Sequence, residues 1–80
     1  MAGLAATQAQ RDYLQSLASH LARLVSEGDP LPSRIAREAL LSNLEYHYAA
    51  RLTTAAEDAI RALEEGNVRV GPWGEQYTQH

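Results

Sequence analysis

Two prolines two residues apart, Pro30 and Pro32, interrupt a chain whose apolar residues otherwise recur every three or four positions. Proline has no backbone N–H and pushes the residue before it away from helix. Asp29-Pro30-Leu31-Pro32 therefore reads as a connector between helical segments. The chain is predicted to be all-α: a three-helix bundle, or a helical hairpin with one long helix, followed by an extended C-terminal tail.

The first helix is expected over about residues 7–27. Thr7 and Gln10 have the T-x-x-Q spacing of a capping box. At about 100° per residue, Tyr13, Leu14, Leu17, Ala18, Leu21, Leu24 and Val25 fall on one face. Gln8, Asp12, Gln15, Ser19, Arg23 and Ser26 lie opposite. Gly28 is the expected residue just past the helix end, where a positive φ is tolerated.

Ser33 is the expected cap of a second helix over residues 34–52. Leu40, Leu41, Leu44, Tyr48 and Leu52 form one stripe, and Ile35, Ala39, Tyr46, Ala49 and Ala50 lie on the other side. A helix apolar on two faces is usually covered from both, so this segment is expected to be central. A third helix is expected over 54–65, capped by a second box, Thr54 with Glu57. Its apolar face holds Leu52, Ala55, Ala56, Ala59, Ile60 and Leu63, and Glu57, Asp58, Arg61, Glu64 and Glu65 take the other face. The series Leu41, Leu44, Tyr48, Leu52, Ala55, Ala59, Leu63 also fits one unbroken helix of about 33 residues, ~50 Å long. The two threonines favour a break at 53–54, because they cap helices better than they extend them. In the tail, residues 66–80, Val68-Arg69-Val70 alternates like a very short strand, and Gly71-Pro72-Trp73-Gly74 is turn chemistry.

The core such segments build is thin. The large apolar residues of the 80-residue chain are mainly eleven Leu, fourteen Ala fill much of the rest, and there is no Phe. Alanine buries little area, and short chains bury a small fraction of their surface. That favours a homodimer or a complex with a partner. Without Cys there are no disulfides and no thiolate chemistry. No apolar run reaches the ~20 residues of a membrane span. The N-terminus has no basic, apolar leader pattern, so a cytoplasmic location is expected.

The net charge of −3 argues against a general nucleic-acid binder. Charge is also segregated. Residues 33–53 carry three Arg against two Glu; residues 54–67 carry four acids against Arg61.

No metal-ligand spacing, phosphate loop, nucleophile elbow or paired carboxylate motif is present in the sequence. No metal, cofactor or catalytic role is therefore expected. In Glu45-Tyr46-His47-Tyr48 an acid, a base and two phenols adjoin. Consecutive helical residues point about 100° apart, which sets Glu45 and His47 about 200° apart. Tyr48 is the expected core residue.

Arg37, Tyr46, His47 and Arg51 are candidates for contact with a partner, because Tyr and Arg are enriched at interface hot spots. Glu57 and Asp58 are candidates for a basic partner. Trp73 and Tyr77 are candidates for an aromatic peptide arm. The expected function is a non-enzymatic protein–protein interaction module, a small adaptor or inhibitor binding a larger protein or nucleoprotein complex. Inhibitors carried by phages or mobile elements against host or defence complexes have this profile by type, though no motif marks one here. The alternatives are a small dimeric DNA- or RNA-binding regulator using the second helix's arginines, and a structural assembly or connector subunit.

Overall fold

A computed structural model describes the backbone of residues 3–25, 27–66, 68–70 and 76–78, and the side chains of residues 3–25 and 27–65. The element order is α1 (Gln8–Leu24), α2 (Leu31–Ala39), α3 (Tyr46–Gly66), β1 (Val68–Val70) and β2 (Gln76–Thr78). The three-helix body is as the periodicity predicts. Val68–Val70 is the short strand expected. Its antiparallel partner Gln76–Thr78, with Arg69 opposite Tyr77, was not foreseen.

Helix α1 begins where the sequence says. The Gln10 N–H donates to Thr7 Oγ1 at 3.1 Å, and the Thr7 N–H donates to Gln10 Oε1 at 2.9 Å. The box satisfies two of the N–H groups that a helix start leaves without partners. The helix ends at Leu24, earlier than expected, and Val25 caps it in an extended conformation. Gly28 does adopt φ +93°, but in the following turn and not next to the helix end.

Helix α2 starts three residues before the expected position. Pro30 is its cap and Pro32 lies in its first turn, where the missing N–H has no helical partner to lose. Ser33 is therefore inside the helix. The Leu31 N–H instead donates to Asp29 Oδ1 at 3.0 Å.

The largest correction concerns where the second and third helices divide. The break lies at residues 40–45, and α3 runs straight through Thr53-Thr54. The expected Thr54–Glu57 box does not form. Thr53 Oγ1 donates back to the Ala49 carbonyl at 2.9 Å, a bond compatible with continuing helix. Glu57 accepts instead from the Tyr13 hydroxyl, at 2.6 Å.

The break at 40–45 is held by partners far along the chain. The Arg11 guanidinium donates to the carbonyls of Ala39 and Leu41, both at 2.8 Å. Gln15 donates to the Ala36 carbonyl at 2.9 Å. The Ala36 and Ala39 carbonyls are among those that the end of a helix leaves open, and a cation suits the negative end of its dipole. On the other side, the Ala6 N–H donates to the Leu44 carbonyl at 2.9 Å and the Tyr46 N–H to the Leu4 carbonyl at 2.7 Å. Residues 3–6 thus form a bridge, Ala5 opposite Glu45. Glu45 then caps α3 by accepting the Tyr48 N–H at 3.0 Å.

The pairings fix helix directions. Arg11 reaches residues 39 and 41 while Gln15 reaches residue 36, so α1 and α2 are antiparallel. Tyr13 meets Glu57 and His20 meets Glu64, so α1 and α3 run the same way. The order is up, down, up. Helix α1 is the central one: it packs extensively on both α2 and α3, which meet each other only over a short stretch. The segment expected to be central is instead two helices that each give one face to α1. That accounts for its two apolar sides. Leu14, Leu17, Ala18 and Leu21 of α1 are enclosed by Leu31, Ile35 and Ala39 of α2 and by Ala49, Leu52, Ala56, Ala59 and Ile60 of α3, with Leu44 between. Leu40 and Leu41, placed in the core stripe by spacing, are exposed, as is Tyr13, placed on the apolar face of α1.

A candidate interaction face on the third helix

The buried side of α3 leaves the other side open along the whole helix, about 31 Å at 1.5 Å per residue. His47, Ala50, Arg51, Thr54, Glu57, Arg61, Glu64 and Glu65 are exposed on it, and Asp58 is half-buried. His47, Ala50, Arg51, Thr54, Ala55 and Asp58 line a shallow groove. All six come from one helix, so the groove is surface relief: small side chains set between taller ones.

Charge changes sign along this face. Arg51, with His47 one turn before it, occupies the N-terminal half. Glu57, Asp58, Glu64 and Glu65 occupy the C-terminal half, where Arg61 is paired with Asp58 at 3.3 Å. Glu64 and Glu65 sit in the last turns, where the helix dipole favours cations. There are no basic residues in that last turn and no acidic residues in the first. The charge order therefore does not serve the helix's own stability.

Five of the eight sequence candidates, Tyr46, His47, Arg51, Glu57 and Asp58, are brought onto α3. Tyr46 and His47 adjoin in sequence, yet their rings meet edge to face, with centroids 5.5 Å apart and planes at 85°. Such pairs hold each other's orientation. Arg37 is exposed on α2 and lines a cleft with Arg34, Glu38 and Leu41. Tyr77 contributes its backbone to β2, and its side chain lies outside the described residues, as does all of Trp73.

Tyr48 is half-buried where α2 approaches α3. Partial burial raises the pKa of its hydroxyl above 10.0, and the Glu38 carboxylate, which accepts a hydrogen bond from it, adds to the rise; Arg34 and Arg51 act in the opposite direction. Those four residues therefore share one neighbourhood. His20 Nε2 stands 3.6 Å from Glu64 Oε2, in a pair exposed enough for solvent to weaken it. Among the described residues no group of three His, Asp or Glu is arranged to hold a metal, and no helix is long and apolar enough to cross a membrane.

Tyr13 marks the edge of the face. Its hydroxyl is raised above 10.0, first by the hydrogen bond it gives Glu57, then by desolvation and the same carboxylate's charge. A pKa raised on folding means a contribution present below pH ~10 and lost as pH rises through the folded value. Ultraviolet titration of phenolate is expected to show a midpoint that falls toward the ordinary value in Glu57→Gln. An unchanged titration would show that the bond does not persist in solution.

Sequence reasoning missed Arg11, Gln15 and the Tyr13–Glu57 pair. Their partners lie 21 to 44 residues away, and no local pattern encodes such distances. No protein-family model, curated protein or solved structure matches this chain.

Proposed function

We propose that this protein is a non-catalytic protein-binding module that docks on a larger protein or nucleoprotein complex through the open face of α3, as an adaptor or inhibitor. The observation that carries this reading is the uncovered, charge-segregated length of that helix. A partner groove with an acidic group facing Arg51, and basic groups facing Glu57, Asp58, Glu64 and Glu65, complements it in one direction only. Reversed docking juxtaposes like charges, so charge order selects orientation and speeds encounter more than it adds affinity. The Tyr46–His47 pair and Arg51 are of the residue types that anchor such contacts.

The test is affinity capture from nuclease-treated lysate of the cells that carry the chain, followed by mass spectrometry. Wild-type bait is expected to retain a stoichiometric protein, and bait carrying Arg51→Glu with Asp58→Arg to lose it. Both positions reach solvent, so the fold survives the exchange. No protein retained by wild type, or equal retention by the variant, overturns the reading.

A second reading has one observation in its favour. Arg34 of α2 and Arg51 of α3 act on the same phenol, that of Tyr48. A regulator binding DNA or RNA would use them with Arg37. It requires an affinity for nucleic acid that falls steeply with salt. A flat binding curve at low salt removes it.

A further inference from the structure

The two turns of the bundle differ in kind. The one between α1 and α2 holds Gly28 at φ +93°, followed by Pro30 and Pro32, and cannot become helix. The one between α2 and α3, residues 40–45, reads Leu-Leu-Ser-Asn-Leu-Glu and contains neither glycine nor proline. Leu40 keeps an αR backbone. The N–H groups of Leu40, Leu41 and Leu44 already donate to carbonyls three residues back.

What keeps residues 40–45 from being helix comes from other parts of the chain. A helix continued through them would use the Ala39, Leu41 and Leu44 carbonyls as acceptors and the Tyr46 and Tyr48 N–H groups as donors. Arg11 holds the Ala39 and Leu41 carbonyls, and Ala6 holds that of Leu44. The Tyr46 N–H is given to Leu4 and the Tyr48 N–H to the Glu45 carboxylate. The bonds that make the break and the bonds that would erase it therefore compete for the same atoms. The apolar stripe Leu41, Leu44, Tyr48, Leu52 crosses the junction at helical spacing without a gap.

Straightening the junction has one geometric outcome. A single helix over residues 31–66 would be about 54 Å long. The short α1–α2 turn keeps α1 beside α2, so α1 leaves α3. Helix α1 starts at the junction's pole, runs antiparallel to α2 and runs parallel to α3. A two-fold axis at the junction, perpendicular to the long helix, sets two such helices antiparallel. It lays α1 of each copy along α3 of the other in the original direction. Each bundle is then rebuilt from α1 and α2 of one copy and α3 of the other, with no connection stretched. Leu14, Leu17, Ala18 and Leu21 meet the same α3 residues as before, now on the other chain.

We propose that residues 40–45 are a hinge, and that by straightening it the chain exchanges its α1–α2 hairpin with a second copy of itself. The closed and exchanged forms share their core and differ at the hinge alone, so protein concentration sets their ratio. The open face of α3 takes no part in the exchange, and the dimer presents two.

Spin labels on Ser33→Cys and Glu65→Cys read the hinge within one chain, and both positions are exposed. In the closed bundle they lie at the same end, within about 20 Å, because helices pack at roughly 8–10 Å and both α2 and α3 pack on α1. In the straight helix they are ~48 Å apart. Labelled chain diluted into unlabelled chain is measured by double electron–electron resonance, with sedimentation velocity at the same concentrations. The long distance is expected to grow with concentration in step with the dimer. Ser42→Pro is expected to abolish both and leave the circular dichroism of the monomer unchanged. Residue 42 follows the first residue of the turn that Leu44 closes onto the Leu41 carbonyl at 3.3 Å, where proline is favoured. Proline there cannot lie inside a helix. Ser42→Ala with Asn43→Ala, both at exposed positions, is expected to strengthen the dimer on the order of tenfold or more, because alanine is the better helix former. A wild type that stays monomeric up to millimolar concentration overturns the proposal, as does a dimer that shows only the short distance. Dimerisation unchanged by either variant overturns it as well.

Discussion

Replacing Ala55 by proline is expected to destabilise the fold severely. Residue 55 lies near the middle of α3, where proline removes a helical hydrogen bond and its ring meets the carbonyl four residues earlier. The cost is about 3 kcal/mol or more. Domains of this size are stable by roughly 5–15 kcal/mol at best, and an Ala-rich core sits toward the low end. For a chain this short, about 3 kcal/mol corresponds to a melting temperature lower by roughly 12–24 °C. Thermal melts followed by circular dichroism measure it. The expectation is sharp because the capping-box reading predicts the reverse. If Thr54 capped a new helix, residue 55 would be its first helical position, where proline is favoured. A neutral or stabilising Ala55→Pro would restore the break at Thr53-Thr54.

Leu14→Ala is expected to cost about 2–5 kcal/mol, the range for a buried leucine whose neighbours relax only partly around the cavity. Leu14 is fully buried on α1, the helix that both others pack against. No neighbour can close the gap without leaving its own contacts. Leu40→Ala is expected to change stability by no more than about 0.5 kcal/mol at concentrations where the chain is monomeric. Urea denaturation of the two variants separates them. The spacing of apolar residues puts both leucines in core stripes, so the sequence alone predicts two similar losses. Similar losses would show that residues 40–41 remain helical and inside.

The stripe through residues 41–63 explains the difference between pattern and fold. Apolar residues three and four apart specify which side of a helix is buried, but they do not specify that the helix is continuous. Leu44 is buried in the break just as it would be in a helix. Ser42 and Asn43, both turn formers, stood at the break as a legible but weak signal. Thr53 and Thr54 gave a stronger capping signal, and it was misleading. A cap stabilises a helix start by about 1 kcal/mol. Interrupting the face that holds Ala49, Leu52, Ala56 and Ile60 against α1 would cost more.

The candidate face was legible in part. Spacing put Glu57, Asp58, Arg61, Glu64 and Glu65 on one side of a helix, and they are there. That His47 and Arg51 extend the same face became visible only once α3 was seen to begin at Tyr46. Arg37 is on a different helix altogether.

What the sequence by itself determined is what depends on neighbours within four residues: the Thr7–Gln10 box, the apolar faces of α1 (Tyr13 apart) and of residues 52–63, and the absence of helix at the Gly28–Asp29 turn. Tertiary structure decided where the chain divides between α2 and α3, which helix is central, and which leucines stay outside. The reason is physical. Ending a helix leaves carbonyl and N–H groups that need partners, and at residues 39–46 those partners are Arg11, Ala6 and Leu4. Only the packing of α1 brings these residues within reach.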